Sequence, residues 1–549
     1  MPVRAPRACG ALGNFERDRV RRMAELLECG GAFAHEDESS ALVLDREPLR
    51  WVGGRQRGFG WIEADARPLA AAPSDWRAAS GAGVCGLALD GRHRLLHSAA
   101  NGLAPLYWLE QGGAVYFASR IDPLVRTSPS RLSIDWDAWA ATIALRYPLG
   151  TRTPFAEIRR LPASSSLRRG WGRRAKVERQ RWPWTEVEPS QKPAAGAEAM
   201  VAALEEALAP LPSEVVCPLS GGRDSRMLFL PLARDGRVAS IATVPDDEGD
   251  SHEEDLAEPV AAAYGVPQER LRGEMADYAD DWEERARRVE YEFVDHAWLV
   301  PLAQRLAGTP APVPDGFAID SFTSAGRHFY SPETLDHGNP EAAMLALFET
   351  LRRYGHAHLA LEESFQGPLL ARAREQLLAG GRHFAGHPNQ ALLTFYASRS
   401  LRGVSTYATK LLGDRSWVVT PGATEPFVRA VLSIPPQAKV NGEIYRAVFE
   451  LLAPDVAALP STATVSRKEP HLPQRWCSPA AFDLHRRLLR EGPLAPHLSA
   501  ELQAWIAGSG ETKPDWNLRL GIEGVSLFHA WWRRYRDCLH EVDGTDLRG

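Results

Sequence analysis

Cysteine is sparse in this chain of 549 residues: six thiols, at positions 9, 29, 85, 217, 477 and 538, stand far apart, with no CxxC and no Cys/His pair at metal-ligand spacing. That argues against a disulfide framework and a zinc site, and leaves reduced, mostly buried thiols as the expectation. Long apolar runs are missing as well. No stretch reaches the roughly 18 residues of a membrane helix, and MPVRAPRACGALG lacks the apolar segment of a secretory signal, so the expectation is a cytoplasmic protein with no membrane partner. Nor does one sign of charge dominate. With 64 basic against 70 acidic residues the net charge is -6, which gives no global pull toward nucleic acid. What remains is ordinary globular composition, 44% apolar and 24% charged, in a chain long enough for two domains with separate cores.

Two patterns divide the chain. Up to about residue 190, short apolar runs alternate with turn residues (GFGWIEA, GVCGLALDGRHRLLHSA, APLYWLEQGGAVYFAS), and Asp90-Gly91 and Gly112-Gly113 mark hairpins. One helix is predicted over Phe15 to Leu27, where Val20, Met23, Leu26 and Leu27 recur at helical spacing. From about residue 195 strands alternate with long helical segments, the pattern of a parallel sheet covered by helices. Between the halves, RRLPASSSLRRGWGRRAKVERQRWPW is basic and rich in Pro, Gly and Ser; it reads as a solvated hairpin and linker or as a docking surface for an acidic partner.

The sharpest signal lies early in the second half. Val215 to Leu219 forms an apolar strand that runs into Ser220-Gly221-Gly222-Arg223-Asp224-Ser225, followed by RMLFLPLARDG, a helix closed by Gly236. Strand, glycine-rich turn and helix make an anion site, because the glycines let the backbone approach an oxyanion and the first helical N–H groups point at it. Asp224 would repel bare phosphate and makes sense with Mg2+ between carboxylate and phosphate. The spacing is neither that of a Walker loop nor GxGxxG.

This loop resembles the SGGxDS pyrophosphate loop of the N-type ATP pyrophosphatases, and further segments resemble one branch, the asparagine synthetase superfamily. Residues 92–125 are similar to its LGxxPLYY-like turn and FASE-like strand, and Thr153 to Pro162 to its domain-crossing stretch. Asp250 to Gly265 resembles the acidic loop and helix after the second synthetase strand, Thr420 to Pro435 the PFLD-type segment, and Lys468, in SRKEPHLP, falls in the late basic loop. The resemblance implies an Ntn-like α+β, class II glutamine amidotransferase-type domain over 1–190. It implies a parallel-sheet α/β synthetase domain of the adenine nucleotide α-hydrolase (PP-loop) type over 195–549. The implied activity is adenylation of a carboxylate by ATP with Mg2+, then amide formation with release of AMP. Ser220, Gly221, Gly222, Asp224 and Ser225 would hold the phosphates, and VPDGFAIDSFTSAG, similar to the family's SGEGxDExxGG loop, puts Asp320 on Mg2+ with Asp224 and Gly316 beside the nucleotide. Adenine would meet the backbone from Ile241 to Val244, and Lys468 would be the catalytic cation, its alternative being a surface lysine.

Departures from that pattern shape the expectation. A class II glutaminase uses the amine and thiol of an N-terminal Cys, whereas position 2 here is Pro, Cys9 is internal, and no Asn-Gly-Glu type motif lies between Leu49 and Trp76. The first domain therefore reads as a structural relic. Phe317 stands where asparagine synthetases place a glutamate for the incoming amine. Relatives with a silent amidotransferase domain, the β-lactam synthetases and lasso peptide macrocyclases, join a carboxylate to an amine carried by an organic substrate. The leading expectation is such a ligase, acting on a small molecule or a peptide, the latter implying a precursor peptide and its processing proteins; an asparagine synthetase and a non-catalytic scaffold are the alternatives. Glu292, Asp295, His296, His328 and Tyr330 are candidate bases for the amine, and each also reads as a surface or helix-face residue.

Overall fold

The computed structural model describes residues 4–548 apart from 31–32, 54–55, 63–72, 92, 170–173, 250–251, 324–338, 353–355, 441, 466–469, 471 and 509–512. Alternating side chains build the first half. One antiparallel six-stranded sheet runs in the order Ile158–Arg160, Tyr107–Gln111, Ala114–Ala118, Ala8–Gly13, Ser40–Leu44, Phe33–Asp37. A second runs Lys176–Arg179, Ser165–Arg169, His93–His97, Val84–Asp90, Gln56–Ile62, Leu49–Gly53. The hairpins at Asp90-Gly91 and Gly112-Gly113 are present. At the second, φ of 60° and 81° at the two glycines supplies the left-handed turn that matches strand twist.

Period-two alternation sorts each strand between two cores. Ala8 and Leu12 meet Leu42, Phe117, Leu87 and Leu96 between the sheets, whereas Cys9 and Ala11 face outward against Val20 and Met23 of the helix Arg17–Leu26. Leu26, expected on the apolar face, is 49% exposed. The basic segment after residue 159 forms the hairpin Ser165–Arg169 and Lys176–Arg179, and its Trp182 and Trp184 are buried.

In the second half Val215–Pro218, Val238–Thr243 and Gln268–Arg270 form a parallel sheet. The helices Asp224–Arg234 and Glu253–Ala262 make its crossovers. A short parallel pair, Val313–Pro314 with Val418–Val419, lies beside the first of these strands. The Trp-rich tract near the C-terminus is helix packing: in Trp516–Tyr535, Trp531 meets Trp139 and Phe155, both at 5.1 Å between ring centres. Among the described residues no helix is long and apolar enough to cross a membrane.

The space between the two antiparallel sheets holds a cluster of its own around Leu12, Leu42, Leu87 and Leu96, but on the other side of the first sheet apolar packing continues into the second half. The outer face of the first sheet and the interior of the second half belong to one apolar cluster, because that face, rich in Ala and Tyr, is covered by the second half rather than by solvent. Buried charge crosses the same boundary. The Lys410 ammonium donates to Glu290 and Glu292, both at 2.8 Å, Arg402 donates to Glu292 at 2.8 Å, and Tyr107 of the first sheet donates to Glu292. Glu290 accepts the amides of Ile121 and Asp122. The cations hold Glu292 down to about 2 despite its burial.

Removing one partner of a buried charge network leaves the others desolvated, so Lys410→Met is expected to cost about 3–5 kcal/mol in urea unfolding. With a folded value of about 2, the Glu292 contribution is present above the unfolded pKa and fades as pH falls through 4.5 toward 2. An unfolding free energy of the variant within about 1 kcal/mol of wild type at pH 7 would overturn this account.

Candidate functional site

The loop Ser220–Ser225 leaves the carboxyl end of the first parallel strand. Its entry is pinned to the second strand: Leu219 N donates to Ala242 O at 3.1 Å, and the Thr243 hydroxyl to Leu219 O at 2.8 Å. Within the loop, Ser220 N donates to Ser225 Oγ at 3.1 Å, Gly222 N donates to Ser220 Oγ at 3.1 Å, and the two hydroxyls lie 3.0 Å apart. A side chain at Gly221 would press within 2.8 Å of Leu256 Cβ, so this approach of loop and helix needs glycine. Below the loop, buried Arg226 donates through Nη2 to the carbonyls of Gly221, Leu256 and Pro460 at 3.2, 3.1 and 2.5 Å, and at about 10 it stays charged. Thr462 N donates to Gly221 O at 3.0 Å, which brings the chain upstream of Lys468 onto the loop. Lys468 itself lies outside the described residues.

One anion already sits at these donors. The Glu253 carboxylate accepts the Gly221 amide, close to the Ser220 hydroxyl and the Gly222 amide. Burial raises its pKa, and those donors together with Arg226 oppose the rise.

Across from the loop stands a second acidic turn. Gly316 is in contact with the start of the helix Asp224–Arg234: a Cβ there would be 3.1 Å from Asp224 Cβ and 3.4 Å from Ser225 N. Asp315 caps the Phe317 amide at 2.8 Å with the Tyr407 hydroxyl nearby; burial pushes it up to about 6. Ala318 adopts φ 71°, a strained value for a residue with a Cβ, and the turn is jammed against Gly422, where a Cβ would lie 2.7 Å from Ile319 N and Phe317 O. Asp320 follows on the helix Ile319–Thr323. It acts on Asp224, whose carboxyl is pushed up to about 8, first by burial and then by the Asp320 charge; the Tyr445 hydroxyl, donating to Asp224 Oδ1 at 2.5 Å, opposes the shift. Arg223 covers the Tyr445 ring at 4.5 Å.

The fold thus brings together Ser220, Gly221, Gly222, Asp224, Ser225, Gly316 and Asp320. Of the residues expected at adenine, Ile241 lies inside the ladder, its amide bonded to Pro267 O, and Val244 lies just past the strand's carboxyl end. Asp247 beyond it is buried against Arg475 at 3.1 Å. Two hard oxygen donors suit Mg2+, which takes one or two carboxylates and fills its shell with phosphate and water. Among the described residues no group of three or more His, Cys, Asp or Glu is arranged to hold a metal ion.

The base candidates separate. Glu292 is consumed by Lys410 and Arg402, and Asp295 by Arg146 at 2.5 Å; at about 2 each is a weak base. His296, held neutral by burial with its pKa at about 4, packs 5.3 Å from the Tyr407 ring. His328 and Tyr330 lie outside the described residues, as do Asp250 and Ser251 of the acidic segment. Cys9 is fully buried, 3.9 Å from Val20 O, and burial, with Cys29 adding, raises its thiol well above the ordinary value. Glu253, Tyr445, Arg226, Asp315 and Tyr407 were missed from sequence. Glu253, Asp315 and Arg226 stood in segments already singled out, without being chosen from them; Tyr445 is one more apolar-face residue of a helix until the fold turns it to Asp224. No protein-family model matches the chain, and no curated protein matches its sequence.

A carboxyl whose folded pKa is raised binds its proton more tightly when folded, so its effect on stability worsens as pH climbs from about 4 to about 8. Asp224→Asn is expected to raise stability at pH 8 by about 1 kcal/mol, discounted for the partial exposure of the site, with the gain vanishing near pH 4. Thermal melts across that range test it; a variant less stable than wild type at pH 8 refutes it. Gly422→Ala, by contrast, is expected to cost about 1–3 kcal/mol through overpacking against the acidic turn, and an unchanged melting temperature would show that the turn has room to shift.

Proposed function

We propose that the protein is an ATP-dependent ligase of the asparagine synthetase type, which adenylates a substrate carboxylate, releases pyrophosphate, and joins the acyl group to an amine with release of AMP. The observation that carries this reading is the juxtaposition of an SGGxDS loop at the carboxyl end of a parallel strand with a second carboxylate, Asp320, close enough to raise the pKa of Asp224. Carboxylates crowd at such a cost in stability where a cation and phosphates offset it. The helix-flanked pair of antiparallel sheets in the first half is in keeping with an amidotransferase-type domain.

In the first step a carboxylate oxygen bonds to the α-phosphorus and the bond to pyrophosphate breaks. Charge builds on the departing oxyanion, where the Gly221 and Gly222 amides and the Ser220 and Ser225 hydroxyls are preorganised donors. Asp224 and Asp320 would hold Mg2+, which when bound neutralises polyphosphate charge. Lys468 would add a cation from the chain that follows Thr462. In the second step an amine attacks the acyl-adenylate, loses a proton to a base, and expels AMP. Of the described base candidates, His296 keeps a neutral ring beside Tyr407. Because Cys9 is sealed in the core with a raised thiol pKa, ammonia from glutamine is not to be expected, and an amine borne by the substrate fits. Phe317, buried 6.3 Å from the Tyr396 ring, puts a hydrocarbon where asparagine synthetases place a glutamate for the incoming amine, which favours an organic rather than an ammonia acceptor. That favours natural-product chemistry, lasso-type macrolactam closure included, in which holding both ends together supplies much of the barrier reduction.

The test is pyrophosphate and AMP release from Mg-ATP with candidate peptides, cell extract, or aspartate plus ammonia. Wild type is expected to form both products with a peptide or extract fraction, Asp224→Ala neither, and Lys468→Ala about 100-fold less. Stimulation by aspartate plus ammonia would instead mark an asparagine synthetase, and absence of both nucleotide binding and turnover would leave a scaffold.

A further inference from the structure

A central donor of the loop that would hold pyrophosphate, the Gly221 amide, is engaged by the chain's own carboxylate. Glu253 is the first residue of the helix Glu253–Ala262, and its side chain accepts the Gly221 amide, close to the Ser220 hydroxyl and the Gly222 amide. The backbone on both sides is clamped: Leu256 packs on Gly221, and Arg226 ties the carbonyls of Gly221 and Leu256 together. Loop and helix start therefore hold their places, and the partly exposed side chain is the part left to move. A phosphate oxygen and a carboxylate oxygen cannot accept the same N–H, and side by side at close range the two anions repel.

We propose that Glu253 is the resident anion of this loop and that pyrophosphate, free or as part of a nucleotide, binds by exchange with it. This rests on the reading of the loop as a phosphate site. In that exchange Glu253 keeps the donors oriented between turnovers, lowers the affinity for the incoming triphosphate, and on its return helps to expel the pyrophosphate product. Carboxylate and phosphate are both acceptor-only anions, so the loop accommodates either without rebuilding, and the apparent affinity for pyrophosphate is reduced by the fraction of molecules in which Glu253 occupies the site.

Glu253→Gln keeps the shape and removes the charge; Glu253→Ala removes the competing acceptor altogether. Titration calorimetry of inorganic pyrophosphate with Mg2+ into the full-length proteins, with melting curves to confirm folding, is expected to show binding about tenfold or more tighter in both variants than in wild type. Product inhibition by pyrophosphate should tighten in parallel. Equal or weaker binding in a folded variant overturns the exchange and makes Glu253 a brace of the loop, while binding by wild type keeps the phosphate site. Absence of pyrophosphate binding in all three proteins would remove the phosphate reading and the exchange together.

Discussion

Lys410, fully buried between Glu290 and Glu292, is the interaction on which the arrangement of the two halves depends. Three charges removed from water are tolerable only if each finds its partners, and here the partners come from both halves: Tyr107, Ile121 and Asp122 from the first, Arg402 and Lys410 from the second. A second set reinforces it at the rim, where Asp414 accepts from Arg7 at 2.6 Å, from Arg120 at 3.2 Å and from Arg288. Such a network adds little net stability over an apolar core, yet it admits one relative placement of its members. Shifting either half would strand a charge.

The placement reaches the site through one irregular helix. Tyr396–Val404 and Tyr407–Leu412 are π-helical, and the wider turns let neighbouring residues face opposite sides. Arg402 and Lys410 turn to the boundary, whereas Ser400 bonds Ser321, beside Asp320, at 2.7 Å and Tyr407 lies against Asp315. The acidic turn is thus held from behind by the element that anchors the first half. A domain whose Cys9 is sealed in the core still has a structural task, since it supplies the groups that satisfy Glu290 and Glu292.

Much of the local architecture was legible in the sequence. Alternation and Gly turns marked the two antiparallel sheets, and the strand, loop and helix around Ser220 follow from an apolar run meeting two glycines and a capped helix. The loop itself was enough to nominate Asp224, whereas Gly316 and Asp320 were nominated by the resemblance of VPDGFAIDSFTSAG to a family loop. Spacing gave no means of ranking Glu292, Asp295 and His296 as bases, because ion pairing depends on partners 100 or more positions away, such as Arg402 and Lys410 for Glu292.

By itself the sequence determined the strands, turns and helix around the loop, since periodicity, turn residues and the conformational freedom of glycine act over a few neighbouring positions. Tertiary structure alone decided what these elements face. It ran one apolar cluster from the outer face of the first sheet into the second half, set Glu253 on the Gly221 amide, placed Tyr445 on Asp224, and buried Cys9. The physical reason is that desolvation and Coulomb interaction depend on distance in space, and residues remote in the chain set that distance.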